Sequence, residues 1–327
     1  MHNTAKLDLQ LQYLVVRSEM KTQKIHISEI ALLLVESTSV SLTVGLLAEL
    51  TRQKVKVIFC DHKRNPSSEL ISYYGSHDTS NKIRTQITWP QSVKEAVWTE
   101  IVREKINKQA EFLLERGKNT EAALLRDYVQ QIQWNDATNR EGHAAKVYFN
   151  ALFGMDFSRS QDCPINAALN YGYSLMLSAI NREIVMNGYI TQLGLFHDNM
   201  FNQFNLGSDL MEPYRVLVDR KVCEMKPIEF EHEQKMKLVA LLNEEIIMEG
   251  KHFVILNAIK QYVKSVFDAL NESDIAQLSF YSYELLVHES DSNVRPSCTI
   301  KCAATRIHEI SEIFAEEWVC HATGVNL

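Results

Sequence analysis

The chain has 327 residues, 46% hydrophobic and 23% charged, the composition of a water-soluble globular protein long enough for two domains. Its net charge of −7, from 34 basic and 41 acidic residues, argues mildly against a nucleic-acid partner taken over the whole surface. No run approaches the roughly 18 consecutive apolar residues of a membrane span, and the opening MHNTAKLDLQ lacks an apolar leader core, so a cytoplasmic protein is expected.

In chain order, residues 6–16 (KLDLQLQYLVV) set Leu7, Leu9 and Leu11 against Asp8, Gln10 and Gln12, the two-residue period of a half-buried strand. Further strands are expected at 25–27, 30–35 and 54–60, with a short helix at 41–52 where Leu42, Leu46, Leu47 and Leu50 recur at helical spacing. Between Arg52 and Arg84 seven bases stand against three acids, a local excess of +4 that the net charge hides. After about residue 90 the pattern is helical: 91–116, closed by Gly117; 120–134; 139–153, closed by Gly154; 164–187, closed by Gly188; then 210–224, 229–249 and 252–270. The expected fold is therefore α+β, with a β-rich domain over residues 1–85, a larger all-helical domain over 86–286, and a tail from 287 to 327.

Two helical segments carry candidate chemistry. NREGHAAKVYFNALFG (139–154) places Glu141, Ala145 and Tyr148 on one helix face, where two alanines allow another helix close and an uncompensated carboxylate would be costly. Glu141 is equally explained as a first-turn acid favoured by the helix dipole. LFHDNMFNQFNLGSDLMEPYRVLVD (195–219) gathers His197, Asp209 and Glu212. Asp209 and Glu212 also have the spacing of a capping box, and a lone loop histidine needs no role beyond a hydrogen bond. Carboxylates brought together repel by about 4 kcal/mol at 4 Å in an effective dielectric near 20, a cost that a cation reverses. Two carboxylates with an imidazole suit Mg²⁺ or Mn²⁺, the latter tolerating nitrogen better. His143, two residues past Glu141, points to another side of the helix, and Tyr148 and Phe149 read as core.

The chain resembles the CRISPR adaptation integrases, closest to their type II-A subgroup, over residues 6 to about 285. The resemblance is carried by VIFCDHKRNP (57–66), NREGHAAKVYFNALFG (139–154), PINAALNYGY (164–173), FNQFNL (201–206) and DLMEPYR (209–215). It implies an N-terminal β domain and a helical catalytic domain, with metal ligands at Glu141, His197 and Glu212 supported by Asp209. It implies a divalent-metal-dependent endonuclease and integrase that inserts spacer DNA by 3′-hydroxyl attack on a phosphodiester. The implied partners are double-stranded donor DNA, CRISPR repeat DNA, a second copy of the chain, a dimer of a small adaptation protein, the type II effector nuclease and an accessory adaptation protein. Arg140, Lys146, Arg215 and Arg64 are candidate DNA contacts, each equally readable as a surface ion pair.

Relatives carry a further strand ahead of the KLDLQ segment. The two readings of another class are a catalytically silent DNA-binding scaffold and, more weakly, a helical ligand-binding regulator; no helix-turn-helix signature supports the latter as a DNA reader. Cys60, Cys163 and Cys223 stand far apart and read as buried thiols of a reducing compartment. The tail, with six acids against three bases, holds Cys298, Cys302, Cys320, His308 and His321 at spacings that fit no standard zinc knuckle. An appended helix over 304–320 is the simpler expectation.

Overall fold

A computed structural model describes residues 5–18, 21–72 and 76–282. It divides into two compact units, with the boundary between Ser72 and Tyr73. In the first unit β1 (Lys6–Gln10) and β2 (Tyr13–Arg17) form a hairpin with Gln10 opposite Tyr13. The alternating run expected as one strand therefore folds back on itself. Leu11 and Gln12 make the turn at φ 47° and 69°, the left-handed values of a two-residue hairpin, without the Gly or Asn that usually announces one. β3 (Thr22–His26) pairs with β2, and β5 (Ser41–Leu42) runs parallel to β1, giving the order β3-β2-β1-β5. A second sheet holds β4 (Leu32–Val35), β6 (Lys56–Cys60) and β7 (Pro66–Leu70), with β6 central. Helix α1 (Val44–Arg52), capped by Thr43, sends Leu46 and Leu50 into a core with Leu7, Leu14, Val16, Leu33 and Val57.

The second unit is helical. α2 (Thr79–Thr88), expected within the β-rich part, belongs here and is tied to it through Gln86, whose side chain exchanges hydrogen bonds with the backbone of Ile190. α3 (Gln91–Glu115) and α6 (Pro164–Met186) are long and buried around much of their circumference, so they form the spine of the unit. α4 (Asn119–Gln130) and α5 (Arg140–Phe153) pack on α3. The helices before Gly117, Gly154 and Gly188 end where expected, each glycine lying at positive φ. α6 lies so close to α8 (Arg215–Met225) that a Cβ at Gly172 would sit 2.4 Å from Val218.

Three expected helices differ in detail. The segment expected as 210–224 is α7 (Asn205–Met211), a 3-10 turn at Glu212–Tyr214, and then α8, because Pro213 cannot extend a ladder of backbone N–H donors. The segment 229–249 shortens to α9 (His232–Leu241), followed by a hairpin of β8 (Glu245–Met248) and β9 (Lys251–Val254) turning at Glu249 and Gly250, both at positive φ. α10 (Ile255–Glu272) follows, and β10 (Tyr281–Ser282) completes the small sheet. No described helix is long and apolar enough to cross a membrane. Cys60 and Cys223 are buried and in no disulfide, as expected, whereas Cys163 is partly exposed ahead of α6. The tail expectations, including the helix over 304–320, lie outside the described residues.

Candidate active site

Glu141 is positioned by a turn rather than by its helix alone. Asn135, Asp136 and Asn139 all adopt left-handed φ values, a tight reversal tolerated by Asn and Asp better than by most residues. Thr99 Oγ1 on α3 accepts the Asn135 N–H at 2.9 Å. The buried Asp136 carboxylate then accepts the Arg140 and Glu141 N–H groups at 2.7 and 3.0 Å, and Asn139 caps Gly142. Donors left free at the start of α5 are thereby satisfied. Ala144 and Tyr148, one and two turns on, are fully buried, which brings the start of α5 down onto α3.

Glu212 reaches the same place from the other side. The turn carrying it packs on α3, and the Tyr281 hydroxyl donates to the Pro213 carbonyl at 3.0 Å. The two carboxylates meet on one ammonium: Lys105 Nζ, on α3, donates to Glu141 Oε1 and Glu212 Oε2. Arg215 Nε donates to the other oxygen of Glu212 at 2.9 Å, and its guanidinium lies 4.7 Å from the centre of the Tyr173 ring. Burial alone would raise the Glu212 pKa; Arg215 and Lys105 more than offset it and hold the group down at about 2. Lys105 remains a cation for the reciprocal reason, since burial works against its charge and Glu212 and Glu141 outweigh it.

His197 lies in a loop wound around Asp209. One carboxylate oxygen of this fully buried residue accepts the N–H of Leu195 at 2.6 Å and of Phe196 at 3.1 Å; the other accepts the N–H of His197 at 3.2 Å and its Nδ1 at 2.5 Å. The winding is tight: a Cβ at Gly194 would lie 2.3 Å from the His197 carbonyl and 2.7 Å from Asp209. Asp209 therefore does not act as a capping box with Glu212. It stands within α7, whose start bears no side-chain cap, and its acceptors serve the loop instead. The Asp209 hydrogen bond, aided by the charge of Glu212, raises the His197 pKa above its ordinary value against the effect of burial. Phe196 stacks on Trp98 of α3 with centroids 4.7 Å apart, and the imidazole meets the same indole edge-on at 5.7 Å.

The structure thus brings Glu141 and Glu212 to a shared cation and fixes His197 by Nδ1, with Nε2 making no hydrogen bond among the described residues. Two carboxylates and an imidazole oriented by a further carboxylate are a donor set suited to Mg²⁺ or Mn²⁺. Among the described residues, however, no three His, Cys, Asp or Glu side chains stand as a formed metal cage; the Lys105 ammonium lies between the two carboxylates. Of the candidate DNA contacts, Arg215 belongs to this cluster, Arg140 lies over the Tyr128 ring at 5.3 Å, and Lys146 is exposed on α5. Arg64 sits in the β6–β7 turn of the other unit, at φ 61°. His143 is exposed beside Tyr128, off the Glu141 face, as expected. Sequence reasoning missed Lys105, Asp136, Thr99 and Trp98. The available signal was Lys105 itself, a basic residue on the helical stripe Trp98, Ile101, Lys105, Phe112, where an apolar residue would ordinarily stand.

Three comparisons bear on this arrangement. The family model described as CRISPR associated protein Cas1 matches residues 1–246. The CRISPR-associated endonuclease Cas1 of Neisseria meningitidis serogroup C is 31% identical over 281 residues, covering 84% of this chain and 92% of that protein. Among solved structures, a casposase bound to integration product superposes with TM-score 0.66 at 18% identity, covering 83% of this chain and 89% of that one. A chain of a Cas6-RT-Cas1–Cas2 complex gives TM-score 0.67 at 18% identity, covering 84% of this chain, which spans only 35% of the larger one. At these identities the solved structures speak for the fold alone, a β-rich N-terminal part followed by a helical part.

Proposed function

The chain belongs to the CRISPR associated protein Cas1 family, and from that premise we propose that it is a divalent-metal-dependent DNA endonuclease and integrase acting in CRISPR adaptation. In this reading a donor 3′-hydroxyl attacks a phosphodiester at the border of a CRISPR repeat. The observation that carries it is the convergence of Glu141 and Glu212, from separate elements, on one buried cation, with an imidazole held by Asp209 within reach of the Glu212 charge. Acidic side chains at close quarters repel one another unless a cation lies between them, and here they already meet on one.

Glu141, Glu212 and His197 Nε2 would hold Mg²⁺ or Mn²⁺. When bound, such an ion supplies Lewis acidity at a phosphoryl oxygen and lowers the pKa of an attacking hydroxyl. The remaining work falls to the chain. Asp209 accepts a hydrogen bond from Nδ1–H and so leaves Nε2 as the atom that would bind the ion. Arg215, over the Tyr173 ring, keeps Glu212 ionised and adds positive charge where negative charge develops on the phosphoryl oxygens. Arg140, Lys146 and Arg64 are proposed to meet phosphates outside the reacting centre. The proposed assembly is a homodimer that binds double-stranded donor DNA and joins a dimer of a small adaptation protein. Contacts with the type II effector nuclease and an accessory adaptation protein belong to the same proposal.

The test is strand transfer from a 3′-hydroxyl duplex donor into repeat DNA, in Mn²⁺ or Mg²⁺ and in chelator, with and without the small partner protein. The parent chain is expected to give joined product only with metal. Glu141→Gln and Glu212→Gln should each reduce it by at least a hundredfold while donor binding survives. Donor binding without joining under every metal condition would establish the silent scaffold instead.

A further inference from the structure

Lys105 is the one group at this centre that the metal reading leaves without a task. Its side chain is 7% exposed, and both of its carboxylate partners belong to the proposed ligand set. A lysine is seldom buried without a compensating charge; here it has two, on different elements, each in direct contact. We propose that Lys105 is a positioning residue, the resident counter-cation that keeps Glu141 and Glu212 together before a divalent ion arrives and stays beside that ion as positive charge for the phosphate. The proposal rests on the metal reading of the preceding subsection.

The argument is one of charge balance. Four side chains are in direct contact: Glu141 and Glu212, each negative, and Lys105 and Arg215, each positive. Their charges cancel, so the metal-free centre tolerates its burial. A divalent ion added to the four makes an excess of two positive charges, which opposes its entry. A phosphodiester brings one negative charge, and the pentavalent arrangement reached during attack carries two. Lys105, kept beside the ion, answers the negative charge that is added between those two states, which is the differential stabilisation that accelerates a reaction. Without Lys105 the metal would bind more readily and the transition state would be served less well. A lysine that merely filled space would show neither effect.

The experiment compares the parent with Lys105→Met in the full chain, measuring thermal unfolding in chelator and Mn²⁺ binding by calorimetry without DNA. In chelator Lys105→Met should melt below the parent, because the carboxylates then face each other uncompensated. Adding Glu141→Gln to it should recover at least half of that loss. Mn²⁺ should bind Lys105→Met at least tenfold more tightly than the parent, while strand transfer at saturating Mn²⁺ falls at least tenfold. Equal or weaker Mn²⁺ binding, or an unchanged transfer rate, would overturn the proposal while leaving the metal reading in place. No Mn²⁺ binding by the parent would remove the metal reading and Lys105's role with it. If Lys105→Met does not fold, the Lys105→Met/Glu141→Gln double variant decides. Its folding supports the counter-cation, and its failure to fold shows that Lys105 is needed for packing and overturns the proposal.

Discussion

Replacing Asp209 by Ala removes the acceptor for three backbone N–H groups and one imidazole N–H at once, in a place with no exposed surface on the aspartate. The Leu195 and Phe196 donors, at 2.6 and 3.1 Å, have no other acceptor among the described residues. The buried Leu195 donor left unsatisfied costs about 1–3 kcal/mol and the Phe196 donor, on a residue 47% exposed, adds less, so the two give about 2–4 kcal/mol. Loss of a helix cap would cost only about 1 kcal/mol, so the two roles are well separated. Urea unfolding of the full chain should show the difference as a lowered midpoint. Asp209→Asn, which keeps one acceptor oxygen, should lose roughly half as much. Mn²⁺ should stabilise Asp209→Ala less than the parent, since His197 is no longer held. A loss below about 1.5 kcal/mol for Asp209→Ala would refute the view that this carboxylate organises the loop.

Asp219 offers a pH test. Burial, only partly offset by the Tyr173 hydroxyl, raises its pKa to about 6 from an ordinary 3.8. The folded protein therefore binds the extra proton between those values, and stability falls as pH rises through them, by roughly 3 kcal/mol in all. Glu212 works in the opposite sense, its contribution being present above pH 4.5 and lost as pH falls toward 2. Between pH 4.5 and 7.5 the parent should accordingly lose stability relative to Asp219→Asn, and a difference in melting temperature that stays flat would contradict the assignment. At the α6–α8 crossing, Gly172→Ala should cost about 1–3 kcal/mol because its Cβ would meet Val218 at 2.4 Å, and Val218→Ala should restore part of it; chemical unfolding with no rescue would show that the crossing is loose.

Much of the architecture was legible because hydrophobic period reports burial directly. The switch from two-residue to helical spacing marked the β-rich part and the helical part, and glycines marked three helix ends. What escaped was local. The β1–β2 turn uses Leu11 and Gln12 in left-handed conformations, so it carries no turn signature. The β8–β9 hairpin, EIIMEGKHFV, falls across the end of one expected helix and the start of the next because its strands are four residues each, too short for period to separate from a helical turn. Pro213 signalled a break, but not that the break would aim Glu212 at α3. Glu141, His197 and Glu212 stand as candidates through motifs and resemblance, since nothing in spacing says that segments so far apart in sequence converge. For Asp209 spacing offers only a cap and resemblance a supporting role, while its loop-organising contacts are tertiary. Lys105 was passed over because a helix is read by its apolar residues, and an interior cation shows only as a gap in that pattern.

Trp98, Lys105 and Phe112 follow one another every seventh residue along α3, and each serves a different partner: the His197 loop, the carboxylate pair, and the Arg220 and Tyr148 side chains. The helix is thus a ruler against which three distant segments are registered. One residue inserted between Trp98 and Phe112 would turn everything beyond it by about 100°, taking Lys105 or Phe112 off its mark while the helix itself survived. Sequences that descend from this one are free to lengthen their surface loops, but the reading frame of this stretch has to be inherited whole.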